Sequence, residues 1–146
     1  MNLDRLTQEL EIDEGVSYKI YIDSEGHPTF GVGHLITEDD PEWGMPVGTY
    51  VDEDRISLLF FEDIENAISD AEQLFPDLYT YPETIQHVLA NMSFNLGYTR
   101  LSKFIDLRQA VYEQDWEWMS EEMEDSHWYN QVGSRSERLV EEVLSV

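Results

Sequence analysis

Two carboxylic acids and a hydroxyl group lie close together near the start of the chain. Glu14, Asp23 and Thr29 fall on either side of a turn that contains glycine. Glycoside hydrolysis uses two carboxyl groups, one that protonates the leaving oxygen and one that activates a water molecule on the opposite face of the sugar ring. The residue types therefore indicate Glu14 as the proton donor, with Asp23 and Thr29 positioning the water.

Glu14 is predicted to close an amphipathic helix. Leu3, Leu6 and Leu10 recur at helical spacing, and Gly15 can adopt the left-handed backbone that follows a last helical turn. The candidate acid is therefore held at the end of a helix.

Asp23 and Thr29 are predicted to lie on a small β-hairpin. Residues 18–22 alternate in character, residues 23–26 have the composition of a turn, and residues 28–33 read as a second strand. Asp23 then ends the first strand, and Thr29 returns near it on the next. Gly31 and Gly33 leave that strand with little side-chain bulk, so that a chain substrate could approach its backbone.

The same stretch resembles the signature of the phage-type lysozymes, glycoside hydrolase family 24. The matching residues are Glu14, Gly15, Tyr21, Asp23, Gly26, Thr29, Gly31, Gly33 and His34. Further matches follow in order at residues 91–97 and 128–131 and at Arg135 and Arg138. The similarity spans nearly the whole chain.

The resemblance implies an α+β, mostly helical lysozyme-like fold in one domain, residues 1–146. An N-terminal helix, residues 1–12, would precede a small β-hairpin lobe of about residues 13–58. A long helix, residues 52–75, would join it to a helical C-terminal lobe of about residues 70–146. Local patterns predict an N-cap at Asp52, a helix from Pro82 to Gly97, and a capping box of Ser134 with Glu137.

The resemblance also implies roles for individual residues. The catalytic residues would be Glu14, Asp23 and Thr29. The substrate-binding residues would be Gly33, Leu35, Phe94 and Asn95. Structural support would come from His34 paired with Asp63, and from Arg135 and Arg138 placed against Glu14 and Asp13.

The implied activity is that of a muramidase, a peptidoglycan hydrolase that cleaves the β-1,4 bond between N-acetylmuramic acid and N-acetylglucosamine. We expect a bacteriolytic phage endolysin acting in host cell lysis. The alternative is a catalytically inactive, lysozyme-like sugar-binding or virion structural protein. Leu107 and Glu122 stand where the family has a substrate-contacting serine and asparagine, so subsite preference is not carried over.

The charge is the unusual feature of the composition, since 32 acidic residues against 8 basic ones give a net charge of −24. This balance argues against a nucleic-acid partner and against long-range attraction to an anionic cell wall. Salt shortens the range of self-repulsion in such a chain. A saline habitat is the simplest interpretation.

Cofactors and membrane insertion are not expected. The chain has no cysteine, and its four histidines lack metal-ligand spacing. No apolar run approaches the roughly 18 residues that span a membrane, and residues 1–5 lack the features of a signal peptide. We expect a monomer in the host cytoplasm before lysis that acts on glycan strands in the periplasm after a separate holin-like pore admits it.

Overall fold

The computed structural model describes all 146 residues, and the chain divides into two compact units. The N-terminal unit is Asp4–Glu65, and the C-terminal unit comprises Met1–Leu3 with Asn66–Val146. The boundary falls inside the long helix α2, Glu53–Leu74. Each unit has its own cluster of buried apolar side chains.

The N-terminal unit contains a three-stranded antiparallel sheet between helices. Its elements are α1 (Leu3–Glu14), β1 (Ser17–Ile22), β2 (Pro28–Gly31), β3 (His34–Leu35) and the start of α2. The strands follow the order β1-β2-β3, with Tyr21 opposite Thr29 and Phe30 opposite His34. The predicted hairpin is therefore present, with a short third strand added.

Strand β1 is paired along both edges. On the side away from β2, the Ile20 N–H donates to Thr49 O at 2.9 Å, and the Val51 N–H donates to Tyr18 O at 2.7 Å. Below the sheet lies a buried cluster of Ile20, Phe30, Val32, Ile36, Val51, Ile56 and Leu59. These contacts fix the position of β1, and Asp23 follows directly after this strand.

The C-terminal unit is helical and is built around one central helix. Its elements are the end of α2, a short 3-10 turn (Leu78–Thr80), α3 (Glu83–Ser102), α4 (Ile105–Tyr112), α5 (Trp116–Glu124), α6 (His127–Val132) and α7 (Ser134–Leu144). Helix α3 is buried around most of its circumference, including the polar residues His87, Asn91 and Ser93. Trp128 and Phe75 are among the largest fully buried side chains of the apolar cluster.

The α+β, mostly helical fold that the sequence predicts is confirmed. Asp52 caps α2 as predicted, since its Oδ2 accepts from the Asp54 N–H at 3.1 Å. Pro82 is the N-cap of α3 and precedes its first turn. No helix of the chain combines the length and apolar composition needed to cross a membrane.

Two helix boundaries differ from the prediction. Gly97, with φ 78° and ψ 166°, breaks α3 as expected, but helical backbone resumes and runs to Ser102, and Leu101 in this last part is fully buried. The capping box at Ser134 is wrong: Gly133 is the N-cap of α7, and Ser134 is already helical. Since α6 ends at Val132, a single residue joins the two helices and leaves no extended position for a serine cap.

Candidate active site

Glu14 is the last residue of α1 and is half-buried against the turn between β2 and β3. Gly33, in that turn, has φ +67°, and a Cβ atom placed on it would lie 2.6 Å from Glu14 Oε2. A Cβ at that position would force the carboxyl group of Glu14 to move, and the positive φ itself favours glycine. Gly33 was predicted as a substrate-binding residue, and the structure shows that it also packs against the carboxyl group of Glu14.

Asp23 follows directly after β1 and is held by the turn that it begins. Its Oδ1 accepts from the backbone N–H groups of Glu25 at 2.9 Å and His27 at 2.8 Å. Its Oδ2 makes no hydrogen bond within the chain. One oxygen therefore fixes the carboxylate, and the other is available to a water molecule or a ligand.

Thr29 lies on β2 and is 2% exposed. Its hydroxyl donates to the carbonyl oxygen of His27 at 3.0 Å. Because the hydroxyl proton is used in that bond, Oγ1 can only accept from a further partner. Asp23 and Thr29 thus each present an acceptor oxygen, and both bind the backbone of His27.

Tyr21 is a member of this group that the sequence argument did not assign to the site. Burial raises the pKa of its phenol, and the negative charges of Glu14 and Asp23 raise it further. The phenol is therefore within electrostatic reach of both acids. The signal was available, since Tyr21 belongs to the matched signature and precedes Asp23 by two residues on one strand.

His34, on β3, joins two carboxylates. Its Nδ1 lies 2.7 Å from Asp63 Oδ2, as the resemblance implied, and its Nε2 lies 2.9 Å from Asp40 Oδ2. Burial alone would lower the pKa of His34, but the hydrogen bonds to Asp63 and Asp40 outweigh burial and raise it. The contact with Asp40 was not predicted, and it ties the loop after β3 to the strand.

The same network extends to Arg55 on α2. Its Nη2 lies 3.5 Å from Asp40 Oδ1 and 3.1 Å from Glu42 Oε1. Burial acts to raise the pKa of Asp40, but the Thr37 N–H and the paired His34 outweigh it and lower that pKa. Loop 37–42 is thereby held to α2 and to the strand that follows Gly33.

The other predicted residues of this unit have simpler surroundings. Leu35 ends β3 and is 49% exposed, so its side chain is open to a ligand. Asp13 precedes Glu14 on α1 and is half-buried. No group of three or more His, Cys, Asp or Glu side chains in the chain is placed to hold a metal ion.

The remaining predicted residues lie in the C-terminal unit, where contacts within that unit hold two of their side chains. Asn95 Oδ1 accepts from the Trp128 indole at 2.7 Å, and Arg135 Nε donates to Asn91 Oδ1 at 2.9 Å. These bonds explain how a largely buried helix can contain the two asparagines of the 91–97 motif, since each side-chain oxygen has a hydrogen-bond donor. Two sets of predicted roles stay predictions. They are sugar binding by Phe94 and Asn95, and the placement of Arg135 and Arg138 beside Glu14 and Asp13.

A cavity of about 450 Å³ lies within the C-terminal unit. Its lining mixes cationic residues, acidic residues and the Trp128 ring, and it includes both Leu107 and Glu122. Leu107 is almost fully buried, and Glu122 accepts from the Trp118 indole at 3.2 Å. The cavity contains none of the predicted catalytic residues.

The family model for phage lysozyme matches residues 11–142 of this chain. The chain belongs to the phage lysozyme family. This family comprises lysozyme-type cell-wall hydrolases, and the match covers Glu14, Asp23 and Thr29 as well as α7. The resemblance inferred from the motifs is therefore confirmed.

Similar proteins come from phages and from an amoeba. The pre-baseplate central spike protein Gp5 of Enterobacteria phage T4 is 27% identical over 96% of this chain, which spans 28% of that protein. The probable T4-type lysozyme 2 of Dictyostelium discoideum is 29% identical over 90% of this chain, which spans 88% of it. The peptidoglycan hydrolase gp36 of Pseudomonas phage phiKMV is 26% identical over 91% of this chain, which spans 14% of it.

Proposed function

We propose that this chain is a muramidase that hydrolyses the β-1,4 bond between N-acetylmuramic acid and N-acetylglucosamine in peptidoglycan. Two features support the proposal: membership of the phage lysozyme family and the arrangement of Glu14, Asp23 and Thr29 in one unit. The observation that carries it is the pair of unused acceptor oxygens on Asp23 and Thr29.

Glu14 is the proton donor in this proposal. A general acid must hold its carboxyl group in one orientation toward the leaving oxygen, within about 2.6–3.2 Å of it. The Glu14 carboxyl group packs on Gly33, where a Cβ would lie 2.6 Å from Oε2. We assign part of that orientation to this packing.

Asp23 and Thr29 position the attacking water. A water molecule has two protons, and we assign Asp23 Oδ2 and Thr29 Oγ1 as their acceptors, since Oδ1 and the threonine proton are already bonded. Donating both protons leaves a lone pair of the water directed at the anomeric carbon. Attack on the face opposite the leaving group inverts the anomeric configuration.

The biological setting forms the second part of the proposal. A phage endolysin would accumulate in the host cytoplasm and reach the wall through a separate pore, then lyse the cell as a monomer. The net charge of −24 favours activity in saline surroundings, where repulsion from an anionic wall is screened.

A virion-associated enzyme is the second candidate. The similarity to a phage T4 protein named as a baseplate spike favours it. A catalytically inactive form of either candidate would not need acceptor oxygens held as those of Asp23 and Thr29 are, so the local hydrogen bonds favour an active enzyme.

Product analysis tests the bond that is cleaved. Purified peptidoglycan is digested with the protein, the new reducing ends are reduced with borohydride, and the fragments are identified by mass spectrometry. The proposal predicts reduced muramic acid at every new end. Reduced glucosamine would indicate a glucosaminidase, and free stem peptides would indicate an amidase or peptidase.

A further inference from the structure

The phenol of Tyr21 has no partner within the chain. Its hydroxyl makes no hydrogen bond to another residue, although the side chain is partly buried. Tyr18 lies on the same strand but is more exposed, at 45%. A half-buried hydroxyl group that is left unbonded beside two acids is available for a ligand.

The register of the sheet places Tyr21 with the residues that handle water. Tyr21 lies directly opposite Thr29 in the antiparallel pairing of β1 and β2. Side chains of directly opposed residues share one face of a sheet and lie about 4.5–5.5 Å apart at Cβ. The phenol and the threonine hydroxyl therefore belong to the same face.

None of the three proposed catalytic side chains keeps a hydrogen-bond donor throughout the reaction. Asp23 Oδ2 and Thr29 Oγ1 can only accept, and a proton on Glu14 would be transferred during the reaction. Burial and the charges of Glu14 and Asp23 keep the Tyr21 phenol protonated well into alkaline conditions. A sugar presents many acceptor oxygens, and Tyr21 can donate to one of them throughout the reaction.

We propose that Tyr21 is a substrate-contacting residue, whose phenol donates a hydrogen bond to an oxygen of the sugar bound between Glu14 and Asp23. The inference rests on the proposed muramidase function. It concerns binding and orientation of the sugar, and assigns no proton transfer to the phenol.

The test compares Tyr21→Phe with the matched control Tyr18→Phe, which removes the same atom from the same strand. With soluble peptidoglycan fragments, Tyr21→Phe should lower kcat/KM by about five- to tenfold, the size expected for one lost hydrogen bond. Tyr18→Phe should match the unaltered protein, and both variants should keep its melting temperature. Equal kcat/KM in the two variants would overturn the inference.

Two further readouts exclude indirect effects. If Tyr21→Phe lowered the melting temperature in proportion to activity, the residue would be structural and the inference would be wrong. If it moved the alkaline limb of the pH profile, the phenol would act through Glu14 instead of the sugar, which would also overturn it. The acid assignment fails separately, through an active Glu14→Gln variant, and that outcome leaves the comparison of the tyrosine variants intact.

Discussion

The backbone of Gly33 lies so close to the carboxyl group of Glu14 that a Cβ on Gly33 would be 2.6 Å from Oε2 and 3.0 Å from Cδ. The glycine and the candidate acid come from different elements, the β2–β3 turn and the end of α1. Any side chain at position 33 must displace the carboxyl group. The relationship makes the position of the acid depend on the absence of one methyl group.

Gly33→Ala should therefore inactivate the enzyme with moderate loss of stability. We expect lysis to fall by about 10² or more, since misplacing a general acid removes most of its contribution. The matched control is Gly44→Ala, because Gly44 also has positive φ but nothing lies within 4 Å of its Cβ position. Both variants should lose about 1–2 kcal/mol of stability from backbone strain, and only Gly33→Ala should lose activity. Equal activity in both would show that the contact has no catalytic consequence.

Asp23→Asn and Thr29→Ala should each lower activity strongly, because each removes or weakens one of the two acceptors proposed to hold the water. Thr29→Ser keeps the hydroxyl and its bond to the His27 carbonyl, so it should retain much of the activity that Thr29→Ala loses. Clearance of purified peptidoglycan measures all three. If Thr29→Ser were as inactive as Thr29→Ala, the methyl group and not the oxygen would be the important part of Thr29.

Stability should vary with pH through His34 and its two aspartates. The pKa of His34 is raised from 6.5, so its contribution is fully present below about pH 6.5 and is lost as pH rises through the raised value. The pKa of Asp40 is lowered from 3.8, so its contribution is present above about pH 4 and is lost as pH falls through the lowered value. The network should be strongest between these limits.

His34→Asn should reduce stability by about 1–2 kcal/mol within that range and by less at pH 9, because the charged hydrogen bonds are then weakened in the unaltered protein as well. His127→Asn is the control, since His127 is exposed. Thermal melting from pH 4 to pH 9 measures the difference. A constant difference between His34→Asn and the unaltered protein across that range would contradict a titrating network.

Salt should stabilise this protein and speed lysis. The protein carries a net charge of −24. Raising the salt concentration from 0.1 M to 1 M shortens the Debye length from about 10 Å to about 3 Å, which reduces both self-repulsion and repulsion from the wall. The melting temperature and the clearance rate should both rise over this range of sodium chloride, with sorbitol at equal osmolality as the control. A flat or falling melting temperature would remove the saline interpretation.

The hairpin, the turn at Asp23 and the helix cap at Asp52 were predictable because their positions depend on neighbours in sequence. Asp23 accepts from residues two and four positions later, and Asp52 caps a helix that starts at the next residue. Such contacts follow from local residue types and turn chemistry. The motif also indicated the pairing of His34 with Asp63, through the resemblance.

Contacts that depend on the exact path of a loop were not predictable. Loop 37–42 contains several acids, and nothing in its composition selects Asp40 as the second partner of His34. The contact of Gly33 with Glu14 depends on how the β2–β3 turn packs on α1. At Ser134, the capping pattern was present in the sequence, but the one-residue connection after α6 determined where α7 begins.

The most direct test of the proposed mechanism is the clearance rate of Glu14→Gln on purified peptidoglycan, compared with Glu11→Gln. The two variants remove one charge each from the last turn of α1, and Glu11 is exposed. Glutamine keeps the shape of glutamate but cannot deliver the proton, so Glu14→Gln should clear at least about 10²-fold more slowly with an unchanged melting temperature. Glu11→Gln should clear at the normal rate, and a Glu14→Gln variant that did the same would contradict the assignment of Glu14 as the general acid.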